Sequence, residues 1–304
     1  MSDNKVILNS ILDRIGNTPL VRIHEVTRDL PKRVGIYAKL EYFNPGGSVK
    51  DRPAYRMIVD GITNGKLTRD KIIMDPTSGN TGVAYAMVGA ALGYRVELVL
   101  PENASQQRKE MARAFGAAIT FSSPMEGSDG AIRLARKLFA ENPGKYFMPD
   151  QYNNPVNSQS HYDTTGVEIW EQCGGRATHF VGTLGTSGTA MGVTRRLKDY
   201  SKKVRCIGVQ PAHPLHGLEG LKHMPTSIVP GIYDESILDE VKWVETEPSY
   251  ELAERLGREE GLMVGTSSGA AMCVCLELAR TLKEGVIVTI FPDHGDRYFE
   301  GMRW

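Results

Sequence analysis

KIIMDPTSGNTGVAYAMVGAALGYRVELVLP, Lys71 to Pro101, decides the fold. "KIIMDPT" is an apolar run closed by a turn and predicts a strand; "GVAYAMVGAALG" is a helix of small residues; "RVELVLP" is the next strand. Two strands joined by a helix run parallel, so this is a βαβ unit. Outward from it, helix "SQQRKEMARAFG", strand "AAITFSS", helix "GSDGAIRLARKLFAENP" and short strand "YFMPD" continue the alternation.

A second series begins at "ATHFVGTLG". It runs through helix "TAMGVTRRLKDY", strands "VRCIGVQP" and "VKWVET", helices "SYELAERLGREEG" and "SGAAMCVCLELARTL", and the apolar strand "GVIVTIF". Strands alternating with helices over this length imply an α/β protein with mostly parallel sheets covered on both faces. The polar, aperiodic segment "QYNNPVNSQSHYDTTG" between the two series is expected to carry the chain from one domain to the next.

The 304 residues, 41% of them hydrophobic, are enough for two lobes. Lys plus Arg and Asp plus Glu number 36 each, so no overall field points to nucleic acid or an anionic membrane as partner. No apolar run approaches the roughly 18 residues of a bilayer span, and "MSDNKVILNSILDRIG" lacks a signal-peptide pattern, so a cytoplasmic protein is expected. Cys173, Cys206, Cys273 and Cys275 form no CxxC pair and are expected to be buried thiols. His213, His216 and His223 lie in a Pro- and Gly-bearing stretch without cysteine partners or an HExxH helix, so no metal is expected.

Four loops carry candidate chemistry. "TSGNTG", Thr77 to Gly82, sets amides and hydroxyls at a helix start, where a carboxylate or phosphate is favoured. "GTSGT", Gly185 to Thr189, does the same after "THFVGTL" and is a phosphate cradle, with neither a Walker lysine nor the GxGxxG spacing. "GTSSGAA", Gly265 to Ala271, matches GxSxG, so a hydrolase with Ser267 as nucleophile and Asp239 or Asp293 and His294 as partners is an alternative. In "EYFNPGGSVKDR", Pro53 is tolerable only in a first helical turn, which puts Lys50 at a helix start. The positive end of the helix dipole there disfavours the ammonium and suits a Schiff-base amine.

An imine-forming amine, a phosphate cradle, a second anion loop and a serine at a further helix start are the parts a pyridoxal phosphate site requires. "KLEYFNPGGSVKDR" closely resembles the cofactor-lysine motif of the cysteine synthase and cystathionine β-synthase family, the fold type II pyridoxal phosphate enzymes of tryptophan synthase β-like architecture. "IGNTPLVRI", "TSGNTG", "DQYNNP", "GTSGT" and "SSGAA" resemble further motifs of that family, in the family's order, so the likeness spans essentially the full chain.

The resemblance implies two domains: residues 1–44 and 156–304 as the larger, phosphate-binding one, and 45–155 as the smaller, carrying the substrate-carboxylate loop. It implies that Lys50 holds the cofactor by a Schiff base, Asn80 bonds its 3′ oxygen, Gly185, Thr186, Ser187, Gly188 and Thr189 bind its phosphate, and Ser268 meets the pyridine nitrogen. Thr77, Ser78, Asn80, Thr81 and Gln151 would clasp the substrate carboxylate. The activity implied is β-replacement, forming L-cysteine from an activated serine, O-acetylserine first, and sulfide or thiosulfate; O-phosphoserine use, cystathionine synthesis and serine dehydration are the alternatives.

"GLKHMPTSIVPGIYD" and the terminal "DHGDRYF" resemble the B branch of the cysteine synthases more than the A branch. Where that branch often carries arginine this chain has Lys222, which keeps the charge for an anionic co-substrate and loses the bidentate fork. A homodimer is implied by the resemblance, and association with a serine acetyltransferase stays open.

Overall fold

The computed structural model describes residues 8–77 and 79–299. Its elements in chain order are β1 (Leu20–Arg22), β2 (Val34–Leu40), α1 (Asp51–Thr63), β3 (Ile72–Pro76), α2 (Asn80–Leu92), β4 (Arg95–Pro101), α3 (Gln106–Ala114), β5 (Ala118–Ser122), α4 (Gly127–Glu141) and β6 (Tyr146–Phe147). There follow α5 (Pro155–Asp163), α6 (Thr165–Gln172), β7 (His179–Thr183), α7 (Gly188–Tyr200), β8 (Arg205–Pro211), β9 (Glu240–Val244), α8 (Thr246–Glu260), α9 (Thr266–Thr281) and β10 (Gly285–Phe291).

The strands form two sheets, in the orders β1-β2-β10-β7-β8-β9 and β5-β4-β3-β6. All pairings are parallel except β1 with β2, an antiparallel edge of three residues. Each sheet is covered on both faces. In the larger one, Ile36, Val209 and Ile287 pack with Met272 and Leu276 of α9, while Phe180 and Val288 pack with Val193 and Leu197 of α7. In the smaller one, Ile73 and Leu98 meet Met57 and Ile58 of α1 and Tyr85 of α2, while Met74 and Val99 meet Ala131 and Ala135 of α4.

Local sequence accounts for the helices. Helix α1 buries Ala54, Met57, Ile58 and Gly61, an i, i+3, i+4, i+7 stripe. Helix α2 is buried from Thr81 to Gly89 on every side, as its run of Val, Ala, Met and Gly permits. The segment "QYNNPVNSQSHYDTTG", expected to carry the chain from one domain to the next, lies between β6 and β7 and is mostly helical. Asn154 caps Val156 N–H with its side chain at 3.0 Å, Pro155 takes the first helical position, and the chain forms α5 and runs on into α6. Its buried positions are the polar Asn157, Ser158, Ser160 and His161, which is why no apolar period marks it. Among the described residues no helix is long and apolar enough to cross a membrane.

In parallel sheets ligand sites form beyond the carboxyl ends of strands. Here those ends from both sheets, after β3, β4, β7 and β10, face one another across a cleft.

Candidate active site

The cleft encloses about 630 Å³, within the range of about 300–1,000 Å³ common for small-molecule sites. Lys50, Thr77, Asn80, Thr81, Gln151, Gly185, Thr186, Ser187, Thr189, Lys222 and Ser267 all line it, which joins all four loops. Ser78 lies outside the described residues.

Lys50 immediately precedes α1 and is half-buried. The preceding backbone is tied to the end of β10 by Val49 N–H donating to Pro292 O at 2.8 Å. Burial lowers the lysine pKa, opposed by the negative charges of Asp293 and Glu41. A larger share of free amine follows, as a nucleophile for a carbonyl requires.

The loop after β3 is shaped by Thr77, whose Oγ1 accepts from Gly79 N–H at 3.3 Å and Gly82 N–H at 3.1 Å and so caps α2. Thr81 Oγ1 donates to Gln151 Oε1 at 2.8 Å, and Gln151 Nε2 donates to Pro76 O at 3.0 Å. Gln151 is further fixed by Asn157 Nδ2, which donates to its carbonyl at 2.7 Å. Thr77, Asn80, Thr81 and Gln151 thus stand together at the start of one helix, where the dipole favours an anion.

Across the cleft, Leu184 to Ser187 joins β7 to α7. Ser187 has a left-handed backbone, φ 68°, immediately before the helix, and its buried Oγ has no protein partner. A side chain on Gly185 would put Cβ 2.0 Å from Gly220 O, so only glycine fits there. Thr189 Oγ1 contacts His161 Nε2 at 3.2 Å, while Thr165 Oγ1 holds the other ring nitrogen at 2.9 Å. Burial pushes His161 down to about 3, so the ring beneath the loop is neutral. Residues 185–189 thus offer backbone N–H groups and hydroxyls at the start of a 13-residue helix with no acidic residue in its first turn.

The two serines at the start of α9 are separated by the structure. Ser268, the expected partner of a ring nitrogen, is fully buried, its Oγ has no protein partner, and it does not line the cleft; Ser267 does. Successive helical side chains diverge by about 100°, so one of the pair faces the cleft while the other faces the interior. The hydrolase arrangement does not form. Asp239 pairs with Lys198 at 2.7 Å, Asp293 accepts from Asn80 and Tyr298, and His294 turns to Asp296 at 3.2 Å. Of the three loop histidines, His213 faces Glu245, and His223 bonds Thr226 Oγ1 at 2.8 Å beside Trp243.

Lys222 is 9% exposed, lies 3.4 Å from Asp129 Oδ1 and sits over the Tyr152 ring at 5.3 Å, so it is no solvated loop lysine. Arg108 of α3 also lines the cleft, paired with Glu219 and 5.2 Å above the Tyr298 ring. Sequence reasoning missed Arg108, Tyr152 and the partners of Asp293. Arg108 sits in a helix with the ordinary look of a solvated one, and the "DHGDRY" stretch, taken alone, suggests only members of a triad.

The residues present suit pyridoxal phosphate. An amine of lowered pKa, a helix start with a buried unpartnered hydroxyl for phosphate, and a serine at a second helix start converge on one cleft. A family model of pyridoxal-phosphate dependent enzymes matches residues 11–293. A cysteine synthase of Aquifex aeolicus (strain VF5) is 53% identical over 294 residues, covering 95% of this chain and 90% of that protein. Cysteine synthase B of Escherichia coli (strain K12) is 40% identical over 291 residues, covering 96% and 94%. Among solved structures, a cysteine synthase (OASS) from Entamoeba histolytica superposes with a TM-score of 0.94 at 37% identity, covering 99% of this chain and 92% of that one.

Proposed function

The chain belongs to the pyridoxal-phosphate dependent enzymes, and from that premise we propose that it forms L-cysteine, with O-acetylserine as the activated serine and sulfide as the sulfur donor. The observation that carries this reading is the convergence of Lys50, the Thr77–Thr81 loop with Gln151, and the 185–189 loop on one cleft.

When bound, the cofactor supplies an imine-forming carbonyl and an electron-accepting ring. Residues 185–189 hold its phosphate at the start of α7, Asn80 bonds its 3′ oxygen, and Lys50 is its covalent anchor. We assign the ring nitrogen to the Ser267 hydroxyl, because Ser267 faces the cleft and Ser268 does not. A neutral hydroxyl leaves that nitrogen less protonated than a carboxylate would, which suits prompt loss of a leaving group better than a long-lived carbanion.

Thr77, Thr81 and Gln151 bind the substrate carboxylate at the positive end of α2. The Lys50 amine would take the α-proton and later return it. Acetate leaves the β-carbon and sulfide adds there, so the net products are cysteine and acetate. Lys222 and Arg108 at the cleft give the reading a second branch, an anionic group such as thiosulfate or the phosphate of O-phosphoserine.

Side-by-side turnover of O-acetylserine, O-phosphoserine and serine, with sulfide and with thiosulfate, tests the proposal. Cysteine is the expected main product, and Lys50→Ala abolishes it. Pyruvate as the main product in the presence of sulfide would overturn the reading.

A further inference from the structure

Past β10 the chain turns through Asp293 into a 3-10 helix, Gly295–Tyr298, and sets three buried side chains, Asp293, Arg297 and Tyr298, against Asn80 of the other sheet's helix. Asn80 Nδ2 donates to Asp293 Oδ2 at 2.6 Å, and Arg297 Nη1 donates to Asn80 Oδ1. Tyr298 OH donates to the same Asp293 oxygen at 2.5 Å, and Arg297 Nη2 donates to Gly46 O at 2.6 Å. The backbone of Asp293 is fixed as well. It bridges Ser48, two residues before Lys50, and its carbonyl accepts from Gly265 N–H at 3.2 Å, where a Cβ would come 2.2 Å from Asp293 Oδ1.

A carboxamide has one oxygen acceptor and two N–H donors. Arg297 occupies the oxygen of Asn80 and Asp293 takes one N–H, so one N–H is left for a ligand. Turning the amide over would set its oxygen against the Asp293 carboxylate and its NH2 against the guanidinium, losing two charge-assisted bonds and adding repulsion. The orientation of Asn80 is therefore imposed from outside it, by two charged residues of a segment some two hundred positions away.

We infer that Asp293 and Arg297 are positioning residues of the cofactor site: acting through Asn80, they hold its amide with the remaining N–H presented to the 3′ oxygen of pyridoxal phosphate. This rests on the assignment of Asn80 to that oxygen proposed above. Asp293 Oδ1 is buried with no protein partner, and Asp293 lines the cleft with Lys50, whose protonation its charge favours.

The test uses the purified holoenzyme and reads two quantities besides turnover: the visible absorption band of the bound cofactor and the Kd for pyridoxal phosphate on reconstitution. Asn80→Ala is expected to displace the band and weaken binding about tenfold, the worth of one good hydrogen bond. Asp293→Ala should displace the band in the same direction with a similar loss. Asp293→Asn, whose amide oxygen still accepts from Asn80, should restore both. In the Asn80→Ala background, Asp293→Ala should not weaken cofactor binding further, because the route through Asn80 is gone; the band is left out of that comparison, since the charge of Asp293 also acts on Lys50 directly.

A folded Asp293→Ala protein with the wild-type band and Kd, beside a displaced Asn80→Ala, overturns the inference and spares the role of Asn80. An additive double variant overturns it too, marking Asp293 as scaffold alone. Wild-type behaviour of Asn80→Ala removes the premise and the inference together. If circular dichroism shows Asp293→Ala unfolded, Arg297→Leu decides: a displaced band supports the inference, and an unchanged one refutes it.

Discussion

Replacing Asp75 with asparagine should make the protein's stability less sensitive to alkali. Asp75 lies at the end of β3, fully buried, with Oδ2 accepting from Tyr85 OH at 2.8 Å and Gln151 N–H at 3.3 Å. Oδ1 has no partner, and the nearby charge of Asp150 is also negative. Burial, the largest cause, pushes the carboxyl from 3.8 up to about 7. The folded protein thus keeps a proton that the unfolded chain has released, so this contribution is whole below about pH 4 and is lost as pH rises through about 7. Three pH units at about 1.4 kcal/mol each set a ceiling of about 4 kcal/mol, of which about 3 falls between about pH 5 and pH 8.5.

The introduced asparagine keeps an oxygen for Tyr85 and Gln151 but cannot ionise. Its new NH2 group faces a position without a partner, so the Asp75→Asn variant is expected to be the less stable protein at pH 5, by about 1–3 kcal/mol. By about pH 8.5 it should recover about 3 kcal/mol relative to wild type, and the two stabilities meet or cross. Urea unfolding followed by far-UV circular dichroism, at both pH values and with the cofactor saturating, measures this. A stability difference that is the same at both ends of that range would show Asp75 ionised throughout and refute the reasoning.

Arg52→Ala should cost about 3–5 kcal/mol in urea unfolding, since it strands the fully buried Glu41, which Arg52 holds at 2.7 and 2.8 Å. The same pairing holds Glu41 at about 2 despite burial, so that stabilisation is present above about pH 4.5 and is lost as pH falls toward 2; acid titration of wild type against Glu41→Gln reads it. Lys222→Glu should raise KM for thiosulfate or O-phosphoserine about tenfold or more while sparing O-acetylserine with sulfide; equal effects on both would remove Lys222 from donor selection. Gly185→Ala, with its Cβ driven against Gly220 O, should weaken cofactor retention on reconstitution about tenfold or more, and unchanged retention would move the phosphate elsewhere.

What the sequence made legible is what burial of apolar surface dictates. The strands at 72–76, 95–101 and 285–291 are mostly apolar runs, and α1 shows its stripe plainly. Helix α5 escaped because its buried face is made of Asn157, Ser158, Ser160 and His161, turned toward Gln151 and the 185–189 loop. There function replaced the apolar period with hydrogen bonds, and only the Asn154-Pro155 start could have announced it. The loops at 77–82 and 185–189 were legible as candidate anion sites because Gly, Ser and Thr at a helix start mean much the same in any fold. Choosing between Ser267 and Ser268 needed the helix in place. Asp293 illustrates the opposite limit: its proximity to Asn80 depends on two sheets meeting, which no local pattern encodes.

Three consecutive residues at the start of α1 each carry a strong electrostatic demand. Lys50 is a lysine of lowered pKa, and Asp51 is a carboxyl raised by burial to about 7, with Gly46 N–H on one oxygen at 2.5 Å and no partner on the other. Arg52 is a guanidinium shared between Glu41 and Glu168, and Lys39 joins the cluster through Glu168 at 2.6 Å. As a source of stability this is poor economy, because apolar side chains of similar volume commonly do as well as a buried ion cluster. What apolar packing lacks is direction. Five hydrogen bonds from one guanidinium to Glu41, Glu168 and Thr18 fix the first turn of α1 against the end of β2 and the start of α6. That turn carries Lys50, whose nitrogen, in the role proposed for it, has to meet one carbonyl carbon and one α-proton in succession. A lysine stem has four rotatable bonds, so the enzyme can govern only its root, and the buried charges govern it there.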